Sequence, residues 1–447
     1  MGRPKGNKAP DLAPSKSSSR KQNKDSNKKP EKKNPSAPRR KEQPQQKQSR
    51  SQAAEQDQDS NQIDISATIP LNMQQLLLNV FKSALLFDNS DIEETGSELD
   101  TKTLIQTIKS HLYNRDFDSA FADADEQLLR AYALRWSATR ALGYAGLFKS
   151  ILKVLVDEDG ASGMGSTRVI GIGGGAGAEI VALAAAWRDL RDEGVIPASR
   201  SGDGLEGALE GVSLEDKEDN AKDGQGNEGK KPEQKESPTP TPTPSLSISA
   251  VDIADWSAVV KRLSSAIQSP SVPSPTSHPA PLVPQPEENS QSTFNVDFKR
   301  LDVLTPNQDL TSLFQPSQTQ AHKEKTIVSL MFTLNELFTT SMARATSFLL
   351  CTTDLLSIGT ILLVVDSPGS YSTLKLKKES GETQERQYPM KFLLDHTLLS
   401  VAKGKWEKVH GQESRWWRRD ASNLEYEVGE GAGLEDMRFQ VHVYRRV

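Results

Sequence analysis

The 447-residue sequence contains a single cysteine, Cys351. One thiol can form neither an internal disulfide framework nor a multi-cysteine zinc site, and so little cysteine fits a reducing compartment. A long uncharged apolar run is also missing, since the best stretch, residues 348–365, includes Asp354 and several polar side chains. The N-terminus has no apolar core of the kind that signal peptides carry. We therefore expect a soluble protein with no membrane association and no bound metal.

Acidic and apolar side chains are scarce in the first 65 residues. Residues 1–50 contain 16 Lys and Arg against 4 Asp and Glu, a net charge of +12, whereas the whole chain has −5 and residues 51–447 therefore −17. With almost nothing to bury, residues 1–65 are predicted to be a disordered basic tail. Its basic clusters suit a nuclear localisation signal or contacts with RNA phosphates, and a solubilising tail is an equally good interpretation.

Two further stretches have too few apolar side chains to form a core. Residues 199–244 are acidic and glycine-rich and end in PTPTPTP, and residues 268–291 are rich in proline and serine. Both are predicted to be disordered insertions. The folded part is then an N-terminal helical region at 66–160 and a domain at 161–447 that contains both insertions.

The region 66–160 has apolar residues at helical spacing and is predicted to consist of helices. Within residues 115–148, aromatic residues and leucines recur with this period. Ser137 is predicted to cap a helix inside the segment. Arg135 and Arg140 suit either surface charges or phosphate contacts, and a surface position is favoured for both.

The densest glycine cluster follows a short apolar run and precedes an alanine-rich helix pattern. Residues 168–183 read RVIGIGGGAGAEIVAL. Strand, glycine turn and helix in this order suit nucleotide binding, because glycine lets the backbone approach a ligand and the helix N-terminus offers free N–H groups. The spacing Gly173, Gly175, Gly177 is the GxGxG of S-adenosylmethionine (SAM) methyltransferases. With Ala178 the stretch also satisfies the dinucleotide-binding GxGxx(G/A), and a turn without a ligand is a third interpretation.

Four more apolar stretches are predicted as strands, at residues 246–252, 294–298, 326–334 and 359–365. Five buried strands separated by helix patterns predict an open, mostly parallel α/β sheet with its ligand at the carboxyl ends of the strands. Asp252 ends the second strand, where both candidate folds place an acid on the ribose hydroxyls. Trp256 follows one turn later and suits either an adenine contact or a plain helix anchor.

The C-terminal part combines aromatic and cationic side chains. Residues 414–420 read SRWWRRD, and the alternating pattern of residues 438–444 predicts a final strand. Interleaved tryptophan and arginine can stack on bases and neutralise phosphates. A buried aromatic pair with a solvated basic edge explains the same residues equally well.

Five segments, taken together, match a known family. They are YALRWSATRAL (132–142), VIGIGGGAGAEIVAL (169–183), MFTLNELF (331–338), VVDSPGSYS (364–372) and LEDMRFQVHVYRR (434–446). In combination they resemble the fungal 25S rRNA uridine-N3 methyltransferases, a family of SAM-dependent enzymes, over about 66–447 outside the two predicted insertions. The resemblance implies a Rossmann-like class I methyltransferase sheet, SAM as cofactor and methylation of a uridine in large-subunit rRNA.

By this resemblance, five residues would contact SAM. Gly173, Gly175 and Gly177 would underlie its methionine and ribose part. Asp252 would hold the ribose, and Asp302 would lie near the adenine amino group.

One position departs from the class I pattern. Many of these enzymes carry an acid two residues before the first motif glycine, and here that position is Gly171. The usual contact with the SAM ammonium group is then missing, and the resemblance leaves open whether another acid or a water replaces it.

The resemblance also places Asn335 and Glu336 at the transferred methyl group. N3 of uracil carries a proton, so a carboxylate or histidine within hydrogen-bond reach would help the transfer. The candidate proton acceptors are Glu336, Asp366, Glu435 and His442.

The implied partner is large-subunit rRNA or a pre-ribosomal particle. Because N3 is hidden in a paired helix, the target base has to be unpaired or flipped out. We expect a monomer in the nucleus or nucleolus, with the cytoplasm as a further location. Two alternatives are an NAD(P)-dependent Rossmann oxidoreductase, which the glycine spacing allows, and a non-catalytic RNA-binding ribosome-assembly protein.

Overall fold

The structure is a computed structural model that describes most of the chain beyond the predicted tail. The described residues are 63–87, 99–114, 116–159, 165–197, 244–285, 293–306, 308–315, 324–369, 371–377 and 383–447, with only the backbone described at 372–377 and 383–385. The predicted disorder of 1–65 and of 199–244 falls almost entirely outside these residues, so it stays a prediction. Among the described residues, no helix is long and apolar enough to cross a membrane.

Four helices precede the first strand, and strands and helices then alternate from β1 to β5. The helices are α1 (Leu71–Leu85), α2 (Thr101–Tyr113), α3 (Glu126–Tyr132), α4 (Ala138–Asp159), α5 (Ala178–Asp192), α6 (Ser257–Ile267), α7 (Thr311–Phe314), α8 (Leu334–Leu355) and α9 (Met390–Asp395). The strands are β1 (Ser166–Ile172), β2 (Ser245–Asp252), β3 (Phe294–Arg300), β4 (Lys325–Met331), β5 (Ile361–Asp366), β6 (Tyr371–Lys377), β7 (Thr383–Pro389), β8 (Trp406–Trp417) and β9 (Met437–Arg446).

Seven strands form one sheet in the order β3-β2-β1-β4-β5-β9-β8, and β6 and β7 form a separate hairpin. Strands β1 to β5 pair in parallel, while β9 runs antiparallel to both β5 and β8. The predicted mostly parallel α/β sheet is therefore confirmed. The order reverses between β1 and β4, so a ligand crevice opens at the carboxyl ends of these two strands.

Helices cover both faces of the sheet. Val169 and Leu363 belong to a core with α1, α4, α5 and α6, and the next residues, Ile170 and Val364, belong to a second core with α7, α8 and α9. Successive strand residues point to opposite faces. A strand buried on both faces therefore reads as a continuous apolar run, which is why the sequence predicts these strands well.

The helical region differs from its prediction at three polar residues. A π-helical turn joins α3 to α4, so the helical path continues through Ser137, which is buried and does not act as an N-cap. Arg135 is 6% exposed and pairs with Glu435, so its predicted surface position is wrong. Arg140 is partly buried at the crevice. This path is apolar on nearly every side, and its cations therefore need internal partners.

Residues 268–285 are packed against the helices rather than disordered. Asn79 of α1 donates a hydrogen bond from Nδ2 to the Pro273 carbonyl at 2.7 Å. The buried side chains of this segment are Val272, Leu282 and Val283. The prediction of a disordered insertion at 268–291 is thus wrong for 268–285, because a few apolar anchors suffice to fix a proline-rich segment. Its remainder lies outside the described residues.

Strand β4 ends earlier than predicted. It stops at Met331, and α8 begins at Leu334. Between them Phe332 adopts φ +60°, a turn conformation that is uncommon for a non-glycine residue. Asn335 and Glu336 consequently lie in the first turn of a helix, at the carboxyl edge of the sheet.

Candidate active site

The turn between β1 and α5 is tied to β2 by a backbone hydrogen bond. The Gly173 N–H donates to the Val251 carbonyl at 2.8 Å. Gly173 and Gly177 have φ values of +78° and +82°, which side chains rarely tolerate. A Cβ on Gly173 would overlap Thr333 at the start of α8. The glycine turn therefore lies directly against the end of β4.

Asp252 meets the glycine turn from the end of β2. Its Oδ2 accepts the Gly175 N–H and its Oδ1 the Ala254 N–H, both at 3.2 Å. Burial raises the pKa of Asp252. A Cβ on Gly175 would overlap Trp256, which is itself buried with its ring centroid 5.7 Å from that of Tyr132. Trp256 thus acts as a helix anchor beneath the turn.

Asp302 lies two residues beyond β3 in a local turn. Its Oδ1 accepts the Leu304 N–H at 2.8 Å, and its Oδ2 accepts the Thr305 hydroxyl at 3.1 Å. In the register of the two parallel strands, Arg300 of β3 lies opposite Asp252 of β2. Asp302 therefore also lies at the carboxyl edge of the sheet. Its contact with adenine stays a prediction.

The carboxylate of Asp366, at the end of β5, caps the first turn of α8. Its Oδ2 accepts the Asn335 N–H at 2.9 Å, and its Oδ1 accepts the Ser367 N–H at 2.7 Å. The Asn335 side chain makes no cap. Its Oδ1 is buried and has no hydrogen-bond partner among the described residues. The amide oxygen of Asn335 is therefore available to a ligand.

Glu336 lies beside Asn335, at the mouth of the crevice. The residue as a whole is exposed, but the protein around its carboxyl displaces enough water to raise its pKa to about 7. Burial also raises the pKa of Asp366, to about 6. Both acids thus change charge near neutral pH.

One arginine faces this edge from α4. Arg140 Nη1 donates to the Tyr132 hydroxyl at 2.9 Å, and its guanidinium carbon lies 5.2 Å from the Phe332 ring centroid. The Phe332 ring also stacks on Tyr144, with centroids 6.4 Å apart. The unusual backbone of Phe332 therefore holds a ring where it contacts both α4 side chains.

Glu179 is a buried acid in the first turn of α5. It is 4% exposed, and its Oε1 has no hydrogen-bond partner among the described residues. A Cβ on Gly171 would lie 4.0 Å from this Oε1. Glu179 therefore occupies the space beside the position where the class I pattern carries its acid. Burial raises the pKa of Glu179 to about 8, although the charge of Arg140 opposes the shift.

Three carboxyl groups with raised pKa values thus share one cation. For Glu179, Glu336 and Asp366 the largest cause is burial, and the opposing charge in each case is Arg140. Such an incompletely balanced site favours a ligand with positive charge. SAM carries an ammonium group and a sulfonium, and the unpartnered oxygens of Glu179 and Asn335 suit a ligand that brings donors.

Two of the four candidate proton acceptors lie elsewhere. Glu435 is paired with Arg135. His442 is fully buried, its Nε2 lies 3.1 Å from Gln440 Oε1, and burial lowers its pKa to about 4. Only Glu336 and Asp366 join the carboxyl cluster. In the described part of the chain, no group of three His, Cys, Asp or Glu side chains could hold a metal ion.

The sequence analysis did not select Arg140, Tyr144 or Glu179 for the site. Each of the three does, however, stand out in the sequence as a polar residue within an apolar helix pattern. Arg140 and Tyr144 are four residues apart on a helix flanked by Ala and Leu, so they share a face that has to be buried. Glu179 is the acid in the first turn of a helix that is otherwise Ala, Ile, Val and Leu over its next seven positions.

Strand order, glycine turn and acid-ended strands together define a class I SAM-dependent methyltransferase fold. The model of the SAM-dependent methyltransferase family matches residues 86–445, and the chain belongs to this family. Family membership decides between the two cofactors that the glycine spacing left open, and the cofactor is SAM.

One curated relative and two solved structures illustrate what this chain is similar to. The 25S rRNA (uridine(2843)-N(3))-methyltransferase of Saccharomyces cerevisiae is 29% identical over 381 residues, which cover 83% of this chain and 85% of the relative. A SAM-dependent methyltransferase of Methanosarcina mazei is 10% identical and covers 63% of this chain and 92% of its own, with a TM-score of 0.25. The CcbJ methyltransferase of Streptomyces caelestis is 12% identical, with coverages of 66% and 88% and a TM-score of 0.26.

Proposed function

We propose that this protein transfers a methyl group to N3 of a uridine in large-subunit rRNA, within a pre-ribosomal particle in the nucleus or nucleolus. The observation that carries the proposal is the similarity to the yeast 25S rRNA uridine-N3 methyltransferase, because it extends over 83% of this chain. The carboxyl cluster at the sheet edge supports it, since the reaction needs a proton acceptor near the methyl donor.

In this proposal the glycine turn and three acids hold SAM. Gly173, Gly175 and Gly177 leave room for its methionine and ribose part, Asp252 holds the ribose hydroxyls, and Asp302 lies near the adenine amino group. Glu179 takes the ammonium group, in place of the acid that is absent at position 171. Its buried, unpartnered Oε1 supports this assignment, because an ammonium donor would satisfy it.

When bound, SAM supplies an electrophilic methyl group on a sulfonium. The residues of this chain have to orient the uracil and accept the N3 proton, because a protonated imide nitrogen has no good lone pair. Glu336 is our candidate acceptor, since a carboxyl with a pKa of about 7 is half ionised at neutral pH. The Asn335 amide offers a donor and an acceptor for the uracil edge. When Glu336 accepts the N3 proton, the negative charge moves from its carboxylate to the uracil until the methyl group is transferred. Arg140 offsets this charge.

The RNA side of the proposal draws on the end of β8. Trp416 is 48% exposed, with the guanidinium carbons of Arg418 and Arg438 at 4.1 and 5.8 Å from its ring centroid. Strand β8 runs in the same direction as β5, so this group lies at the carboxyl edge of the sheet together with Asp366. Exposed tryptophan with arginine suits contacts to RNA bases and phosphates. It favours the binding interpretation of residues 414–420 over a buried pair.

The test is methyl transfer to rRNA from a strain of the source organism that lacks this protein. The full chain is incubated with this rRNA and SAM, and the modified nucleoside is identified by mass spectrometry. We expect one methyl group at N3 of one uridine, and incorporation about a hundredfold slower or more with Asn335→Ala under matched conditions. A methyl group on another base or atom would refute the uridine-N3 assignment. RNA binding with no incorporation would favour the non-catalytic alternative.

A further inference from the structure

A cavity of about 600 Å³ opens beside the end of β5. Its walls come from the turn after β5, from α9 and the turn that follows, and from β8 and β9. The lining residues that matter here are Gly369, Tyr371, Phe392, His396 and Gln440. We call it the stacking cavity. Its volume is in the range of small-ligand sites, large enough for one or two nucleotides and too small for a folded partner.

One wall of the stacking cavity carries a column of parallel rings. Phe392 in α9 and His396 in the helical turn that follows are four residues apart and share one helical face, and Tyr388 joins them from the end of β7. The Tyr388 and Phe392 centroids are 5.5 Å apart with an interplanar angle of 18°, and those of Phe392 and His396 are 6.0 Å apart at 2°. Phe392 is 51% exposed, and Tyr371 across the cavity is 56% exposed. Rings that served only the core would be buried, whereas Phe392 and His396 are exposed at the surface of the cavity.

The stacking cavity adjoins the carboxyl end of β5, which also carries Asp366 of the candidate active site. Gln440, in its wall, is paired with Asp366 across β9 and β5. The Gln440 side chain donates from Nε2 to the Ser367 carbonyl at 2.8 Å. Asp366, which lies opposite Gln440, in turn accepts the Asn335 N–H. A ligand in the cavity therefore lies next to the place where the target base would enter.

We propose that the stacking cavity binds an unpaired nucleotide of the RNA substrate that neighbours the methylated base, by stacking on Phe392 and His396. The inference rests on the proposed RNA methylation. A base that is flipped into the active site leaves its neighbours without a stacking partner, and an exposed aromatic column replaces that partner. The nearby cations Lys391 and Lys408 are already paired with Glu413 and Asp395. Ring faces rather than free charge therefore define the site, and such stacking tolerates every base.

The test compares variants of the ring column in the full chain. Phe392→Ala and His396→Ala should each raise the KM for rRNA about tenfold, the scale of one lost base–aromatic stack. The kcat and the affinity for SAM should stay within about twofold of wild type, because neither ring is near the glycine turn. Phe392→Trp should keep the low KM, since it preserves a stacking face. Tyr113→Ala, which removes a 90% exposed ring from α2, is the matched control and should change nothing.

Photo-crosslinking gives an independent readout of the same idea. A 4-thiouridine-containing RNA that spans the methylated site should crosslink to the peptide that carries residues 388–396. An unchanged KM in both alanine variants, or an equal rise in Tyr113→Ala, would overturn the proposal. A shift from dimer to monomer in the Phe392 variant would instead identify the column as a contact between copies. If the wild-type protein methylates no rRNA, the proposed function fails, whereas methylation with unchanged KM in the variants removes only the stacking cavity.

Discussion

Replacing Glu179 with glutamine should stabilise the free protein and weaken SAM binding at the same time. Glutamine keeps the size of the side chain but removes a charge that the folded state holds at a cost. Most active-site substitutions that abolish a ligand contact have no reason to stabilise the fold in a pH-dependent way. The combination therefore tests both the burial of Glu179 and its proposed contact with the ammonium group.

The magnitude follows from the pKa shift. The pKa of Glu179 is raised from 4.5 to about 8 in the folded protein, so the folded state binds more protons than the unfolded state between these values. Wild-type stability should then fall as pH rises from 4.5 towards 8. At pH 7 the loss amounts to about 3 kcal/mol, at roughly 1.4 kcal/mol for each pH unit above the ordinary pKa. Glu179→Gln should remove this loss, so its advantage should grow with pH and vanish below pH 4.5.

Urea unfolding at several pH values measures this effect, with Glu407→Gln on the exposed face of β8 as the matched control. Calorimetry should show SAM affinity lower by about 10- to 100-fold, the scale of one charge-assisted hydrogen bond. The variant Gly171→Asp with Glu179→Gln should regain part of this affinity, because a Cβ at 171 has only ordinary contacts, the nearest at 3.5 Å. Equal stability gains at pH 5 and pH 8, or unchanged SAM affinity, would refute the reasoning.

Three further outcomes are expected. Asn335→Ala should slow methyl transfer about a hundredfold or more with unchanged melting temperature and SAM affinity, because alanine keeps the backbone N–H that Asp366 caps; a lower melting temperature with a normal rate would contradict this. The kcat/KM for SAM, which reports the free enzyme, should rise about tenfold from pH 6 to pH 8 as a Glu336 with a pKa of about 7 ionises, and a profile equally steep in Glu336→Gln would exclude that residue. Leu282→Ala should lower the free energy of unfolding by about 2–5 kcal/mol, measured in urea, because its side chain is fully buried; a neutral effect would instead support the prediction that this segment, residues 268–285, is disordered.

Local patterns were enough to predict the five parallel strands and β9, but not β8. Strands β1, β2, β4 and β5 are largely buried on both faces, so their apolar runs are visible without knowledge of their neighbours, whereas the edge strand β3 has exposed residues. The same rule failed at residues 268–285, because three apolar side chains were too few to stand out from proline and serine, yet they reach a ready-made core. The same rule also extended β4 too far. The strand ends at a turn in which Phe332 has a φ of +60°, and no residue type at this turn predicts that conformation.

Residues of the candidate site could be predicted from the sequence only where a single segment has a recognisable local pattern. Gly173, Gly175 and Asp252 could be selected as candidates because a glycine turn and an acid-ended strand have local signatures, and the structure brings Asp252 to the Gly175 N–H. Glu179 and Arg140 belong to the site through tertiary contacts, namely the approach of α5 to position 171 and of α4 to the strand ends. Spacing along the chain carries no information about such contacts, and a charge on an apolar helix is the only hint that the sequence offers.

The charges of the candidate site are partly balanced by Arg140, a cation on an apolar helix. Arg140 is fixed by the Tyr132 hydroxyl and by the Phe332 ring, so it cannot move to neutralise one acid fully without leaving its other contacts. Glu179 and Glu336 therefore share its field, and burial keeps Glu179 largely protonated and Glu336 about half protonated at neutral pH. A bound cation would lower both pKa values and convert the two acids to carboxylates. Cofactor binding would then prepare the proton acceptor, because the same positive charge that Glu179 recognises favours the ionised state of Glu336.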